Sequence, residues 1–189
     1  MRTSSSVNHL APRPLRRCRS ASPALRSNLL TAEQQLLLRK SFSNINKKTL
    51  GHSIYVAMTH KCPELPKLFG QNCSEVERHE RYFVDLIQST IDNLVDLEGA
   101  LQPWLAMVGH FHAGFAIRSK HWDAFGEAVV SSVTEWIGPG RHHKETIRAW
   151  MILASFAADR LSAASNLTGS PFSTLQLMTL VSSGPNTPM

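Results

Sequence analysis

The chain has 189 residues, enough for one well-filled domain and too few for two of ordinary size. Hydrophobic residues make up 42% and charged residues 18%, a globular balance, and the three cysteines contain no Cys-x-x-Cys pair. That excludes a disulfide scaffold, a zinc ribbon and thioether attachment of a cofactor through Cys-x-x-Cys-His.

The net charge of +6 is unevenly placed. Residues 1–30 carry Arg2, Arg13, Arg16, Arg17, Arg19 and Arg26 with no acid, so the remaining residues sum to zero. Basicity confined to one end does not make a nucleic-acid-binding domain, and none is expected. No apolar run approaches the roughly 18 residues a membrane span requires. The first 30 residues lack the apolar stretch of a secretory signal, so a reducing, cytoplasmic setting is expected.

Three zones follow along the chain. Residues 1–29, rich in Ser, Arg and Pro, read as a disordered basic tail. Residues 30–165 carry helical apolar spacing almost throughout, without strand alternation, and form the expected domain. Residues 166–189 carry no charge and read as a second, flexible tail, with Leu175 to Val181 its one apolar stretch. Within the domain, Thr31 and Gln34 form a capping box that opens a first helix reaching Leu37, Phe42 and Ile45. A second helix spans about Lys47 to His60, with Leu50, Ile54, Val56 and Met58, and Pro63 lies just past it. Leu65, Leu68 and Phe69 sit on a short turn before Gly70. The next helix, about Ser74 to Leu94, aligns Phe83, Ile87, Ile91 and Leu94. Another, about Leu101 to Phe115, stripes Leu101, Leu105, Val108 and His112. Residues 121–137 follow with Trp122, Phe125, Val129, Val133 and Trp136, stopped by Gly138-Pro139-Gly140. The last helix, about His142 to Ala164, stripes Trp150, Leu153, Ala157 and Leu161. The expected class is all-α, with six to seven helices.

Nine histidines are present, and most read as solvated surface, among them His52, His60, His121, His142 and His143. His112 differs because it is the single polar member of an apolar stripe. A neutral imidazole in a core needs a partner for its ring nitrogen. Two readings stand: a core histidine bonded to a backbone carbonyl, or a metal ligand. His110 does not share a metal with it, since two residues turn a helix by about 200°. His79 heads another apolar face, one turn before Phe83. Two helices that each aim an imidazole into apolar space suggest a planar metal macrocycle.

The order of these features resembles a globin from Leu30 to about Leu161. Its most specific piece, Leu105-Ala106-Met107-Val108-Gly109-His110-Phe111-His112, looks like the Leu-Gly-x-x-His proximal-helix signature of neuroglobin- and cytoglobin-like proteins. Intracellular globins of invertebrates are the other group it resembles. The resemblance implies a globin fold, haem b held without a covalent link, and His112 as the proximal iron ligand. It also implies haem contacts from Val108, Ile117, Trp122 and Phe125. Cys62-Pro63-Glu64-Leu65-Pro66-Lys67-Leu68-Phe69 is similar to the segment ending in the family's haem-stacking phenylalanine, which gives Phe69 that role. Asp92-Asn93-Leu94-Val95-Asp96 resembles the end of the distal helix and implies His79 as the distal histidine and potential sixth ligand. Counting back from Pro63 puts Gly51 at the family's helix-crossing glycine and Tyr55 in the distal pocket. Trp150 matches an aromatic of the last helix. Two departures stand out: the segment between Phe69 and His79 is short, and Phe83 replaces a smaller aliphatic. A slip of one residue there would put Glu80 in the pocket instead of His79.

The resemblance implies reversible binding of oxygen or another diatomic gas, for sensing, storage or redox signalling, with a reductase or signalling protein as a further partner. Two other classes stay open. One is a haem enzyme, such as a nitric oxide dioxygenase or nitrite reductase; the other is a haem-free helical interaction module. No catalytic constellation outside the pocket is seen. Around Arg16-Arg17-Cys18-Arg19-Ser20 the tail suits a basic-directed kinase at Ser20 and acylation at Cys18. Membrane attachment is expected only through that acylation, and a mitochondrial transit role is the other alternative.

Overall fold

The computed structural model describes residues 29–69 and 72–166, and these form seven helices with no strand among them. In chain order they are α1 (Ala32–Ser43), α2 (Lys47–Lys61), α3 (Leu65–Phe69), α4 (Cys73–Asp92), α5 (Leu97–Ala113), α6 (Ser119–Trp136) and α7 (His143–Asn166). Cys18, Ser20 and the stretch from Leu175 to Val181 lie outside the described residues.

Local chemistry sets the ends. Thr31 accepts from the Gln34 amide while the Gln34 side chain accepts from the Thr31 amide, the expected capping box. Asn46 caps α2 through the amides of Lys48 and Thr49. Helix α5 begins four residues earlier than the apolar stripe indicates. Asp96 Oδ1 accepts from the Gly99 amide at 3.0 Å, and Leu97 joins the buried face. At its other end Ala116 takes a positive φ of 61°. The Phe115 and Ile117 amides both turn back to the His112 carbonyl, at 3.0 and 3.2 Å. That left-handed residue costs about 1 kcal/mol and folds Ile117 beneath the end of α5.

Close approaches fix how the helices cross. A Cβ on Gly109 would stand 2.4 Å from the Leu161 carbonyl oxygen, so α5 lies directly on α7. Leu97, Leu101, Leu105 and Gly109 form the buried face of α5 at a four-residue spacing. Val108 and His112, both half-buried, lie near the end of the same helix. Gly51 does the same between α2 and α4: its Cβ would meet the Glu80 carbonyl oxygen at 2.4 Å. Trp150, fully buried on α7, tilts against Phe42 and donates its indole N–H to Ser41 Oγ at 3.0 Å. That ties α1 to the layer formed by α5, α6 and α7.

The expected core is largely in place, with Phe83, Ile87, Ile91, Leu94, Trp122, Phe125, Val129, Val133, Leu153, Ala157 and Leu161 all buried. Three expected apolar positions are exposed rather than core, Leu68 on α3 among them. Val56 and Trp136 are exposed, because their helices put these positions on the solvent side. No described helix is long and apolar enough to cross a membrane.

Candidate haem pocket

Helices α4 and α5 barely touch, although α4 packs on α2 and α5 on α7. The cleft between them is where the two singled-out histidines stand. His112 is half-buried near the end of α5, and its Nδ1 lies 2.8 Å from the Val108 carbonyl oxygen. A carbonyl only accepts, so Nδ1 carries the proton and Nε2 keeps its lone pair for a metal. Burial pushes the His112 imidazole below its ordinary pKa; the Val108 bond opposes this, and a charge on His79 lowers it further. His79 on α4 is therefore within electrostatic reach of His112 across the cleft. Its own Nδ1 is 2.8 Å from the Glu75 carbonyl, the same arrangement one turn back along its helix. Its ring meets Tyr82 edge-on, with centroids 6.1 Å apart.

The walls are apolar. The Trp122 ring meets His112 nearly edge to face, with centroids 5.4 Å apart. Phe83 and Phe125 stack tilted at 5.6 Å, which brings α4 and α6 together at the back of the distal side. Ile117 is buried and Val108 half-buried. Tyr55 is half-buried on α2, and its phenol is pushed above its ordinary pKa by burial first and by Glu80 second. Phe69 closes α3, which places it beside the start of α4; its side chain is not described.

Glu80, the alternative to His79 in the register, has a definite place. Its backbone carbonyl is the one seated on Gly51, and its carboxylate lies 2.8 Å from His52 Nδ1 on α2. That pair sits at the rim, with His52 well exposed.

The donor set suits an iron porphyrin. Half-buried imidazoles on α4 and α5, His79 and His112, lie within electrostatic range of each other. The surrounding surface is aromatic and aliphatic, as a flat apolar macrocycle requires. Trp122 Nε1 adds a further sign: it is buried and finds no hydrogen-bond acceptor among the described residues. A buried donor left so is costly, and a wall that holds one meets something other than protein.

His121 corrects a sequence expectation. It is not solvated surface but buried, 3% exposed, at the start of α6. The Arg118 amide donates to its Nδ1 at 3.0 Å, so Nε2 carries the proton and donates to Glu64 Oε1 at 3.1 Å. Lys120 also bonds that oxygen, and together they hold the Glu64 carboxyl down to about 2. Cys62, Glu64 and His121 bring their donor atoms within 4.8 Å of one another. The tautomer argues against a metal there, because a ligating Nε2 would need Nδ1 to donate where Arg118 already does. The group is a strut from the α2–α3 corner to α6. The sequence signal for it was weak: His121 stands three residues after Arg118, a capping distance ordinarily filled by Glu or Gln.

Seven helices, with half-buried imidazoles on α4 and α5 and aromatic side chains beside them, make an all-α domain of the kind that can hold a flat cofactor between its helices. The comparisons agree. The family model described as Globin matches residues 52–161, more than half of the chain. Globin-like protein 26 of Caenorhabditis elegans is 24% identical over 143 residues, covering 71% of this chain and 75% of that protein. A bacterial globin structure from Campylobacter jejuni superposes with a TM-score of 0.60 at 17% identity, over 71% of this chain and 96% of that one. The chain belongs to the globin family, and haem binding in general comes with that membership.

Proposed function

We propose that this globin holds haem b without a covalent link, with His112 Nε2 as proximal ligand, and reversibly binds oxygen or another diatomic gas on the His79 side. What supports the reading is the globin match over residues 52–161, together with a half-buried His112 whose Nδ1–Val108 bond leaves the Nε2 lone pair for a metal. Bound there, the iron supplies a site where a diatomic gas binds and a redox couple.

The chain's own residues do the rest. Ile117, Trp122 and Val108 wrap the proximal side and exclude water, and Phe125 closes the back of the pocket against Phe83. Phe69 and Phe83 flank the distal side. Phe83 fills space against Phe125, which narrows the volume left for a ligand. His79 either donates to the gas or takes the sixth iron position. In the second case ligand affinity falls by the fraction of time the pocket is open. Tyr55 contributes a neutral, half-buried phenol hydroxyl. That suits a hydrogen-bond donor to the gas and slows its release. Sensing, storage or redox signalling with a reductase or signalling partner are the roles such a pocket serves.

The test is a spectrum of the haem-reconstituted protein. The ferrous form without added ligand is expected to be six-coordinate and low-spin, and His79→Ala should convert it to five-coordinate and high-spin. Addition of oxygen or carbon monoxide should then shift the Soret band. A protein that takes up no haem on reconstitution would overturn the reading.

A further inference from the structure

A groove of about 1450 Å³ lies between the α4–α5 corner, at the start of α5, and α7. Its floor is Leu94, Leu97, Ile152 and Phe156, and Val95 and Met151 stand exposed on it at 67% and 53%. Two exposed large apolar side chains over an apolar floor mark a surface built to be covered.

The two ends differ. Gln34 Nε2 donates to Glu145 Oε1 at 2.7 Å, which sets the start of α1 beside the first turn of α7. Leu29, just before α1, lines the groove. At the other end Arg160 pairs with Glu98, which sets the start of α5 beside the last turns of α7. That end collects Asp96, Glu98 and Asp159 against the single cation Arg160, and Asp159 has no hydrogen bond or ion pair among the described residues. The groove thus begins at the point where the preceding chain joins and ends in net negative charge.

We propose that residues 21–28 of this chain dock in the groove. The segment Ala21-Ser22-Pro23-Ala24-Leu25-Arg26-Ser27-Asn28 is covalently held at the mouth through Leu29. Eight extended residues reach about 26 Å. The groove from Arg148 to Arg160 is twelve helical rises, about 18 Å. The tether makes the local concentration high, so modest contacts suffice. Leu25 supplies the apolar side chain for the floor. Arg26, three residues from the mouth, carries its guanidinium toward Asp159, and Arg19, Arg17 and Arg16 follow toward the acidic end. A segment with no core of its own orders on such a surface by borrowing one. Docked, it clamps the first turn of the helix that carries His112.

Hydrogen exchange on the full-length protein tests this. Amides of 21–28 and of 94–99 should be protected, and Met151→Lys or Asp159→Lys should speed their exchange at least tenfold while α2 and α6 stay unchanged. Both positions are exposed, so neither substitution disturbs the fold. The proposal fails if residues 21–28 exchange at the free-chain rate in the unsubstituted protein, or if protection survives both substitutions. It also fails if protection of the groove rises with protein concentration, which would make the occupant a second copy. Loss of that protection on deletion of 167–189, with 21–28 exchanging freely, would assign the groove to the other terminus and overturn it too.

Discussion

Gly51 sits directly on Glu80: a Cβ at residue 51 would lie 2.4 Å from the Glu80 carbonyl oxygen and 3.2 Å from Val84 Cγ2. The contact is with backbone, which cannot swing aside as a side chain can. It fixes the height of α4 over α2 one residue from His79.

Gly51→Ala is therefore expected to force the two helices apart and cost about 1–3 kcal/mol, the usual range for overpacking. Gly138→Ala, where nothing lies within 4 Å of the added Cβ, should be close to neutral. Urea unfolding of the two variants makes the comparison. If Gly51→Ala were as stable as Gly138→Ala, the crossing would be looser than the geometry says. Because α4 carries His79, the same variant should also change the ferrous spectrum.

The proximal assignment separates two neighbours on one helix. His112→Gly should abolish stable haem uptake, and added imidazole should restore it by filling the space the side chain leaves. His110→Ala should leave the Soret band nearly intact, since two residues turn the helix by about 200°. Haem uptake that tracked His110 instead would overturn the assignment.

Much of this was legible because helical period and burial coincide. The capping box at Thr31 and Gln34 and the stripe through Phe83, Ile87 and Ile91 read directly from spacing, while the crossing at Gly51 followed only from the resemblance to globins. The start of α5 did not, because Leu97 joins the buried face only once Asp96 caps the helix from the corner before it. Val56 and Trp136 misled for a related reason: apolar character does not say which side of a helix meets its neighbour. His121 was read as surface because its partner, Glu64, is 57 positions away and nothing local marks the pair. Long-range polar struts carry no period, so a single sequence hides them.

Tyr55→Phe tests the distal hydroxyl. Burial and Glu80 both keep its proton on, so it remains a donor across the physiological range. A hydrogen bond worth about 1–2 kcal/mol slows ligand release by roughly five- to thirty-fold. The variant should speed oxygen dissociation by that factor, measured by rapid mixing, with little change in haem retention. An unchanged off-rate would remove the hydroxyl from the pocket.

The last prediction concerns acid. Glu64 accepts from Lys120 first and from His121 as well, and its carboxyl is lowered from the usual 4.5 to about 2. The folded value lies below the unfolded one, so the unfolded chain takes up the proton first as pH falls. The stabilisation is thus whole above about pH 5 and is lost between roughly 4.5 and 2. Glu64→Gln keeps the shape and removes the charge. Its deficit in urea unfolding should stay constant from neutral pH down to about 5 and then close as pH falls further. The carboxylate is 40% exposed, so the deficit should be small and should shrink with added salt. Lys120→Met should show the same acid-side closure, because it removes the largest contributor to the shift. At alkaline pH it should differ, since the Lys120 amine is raised by Glu64 and its contribution fades only as pH climbs through that raised value. A deficit that widened on acidification would mean that Glu64 is not held by these partners in solution.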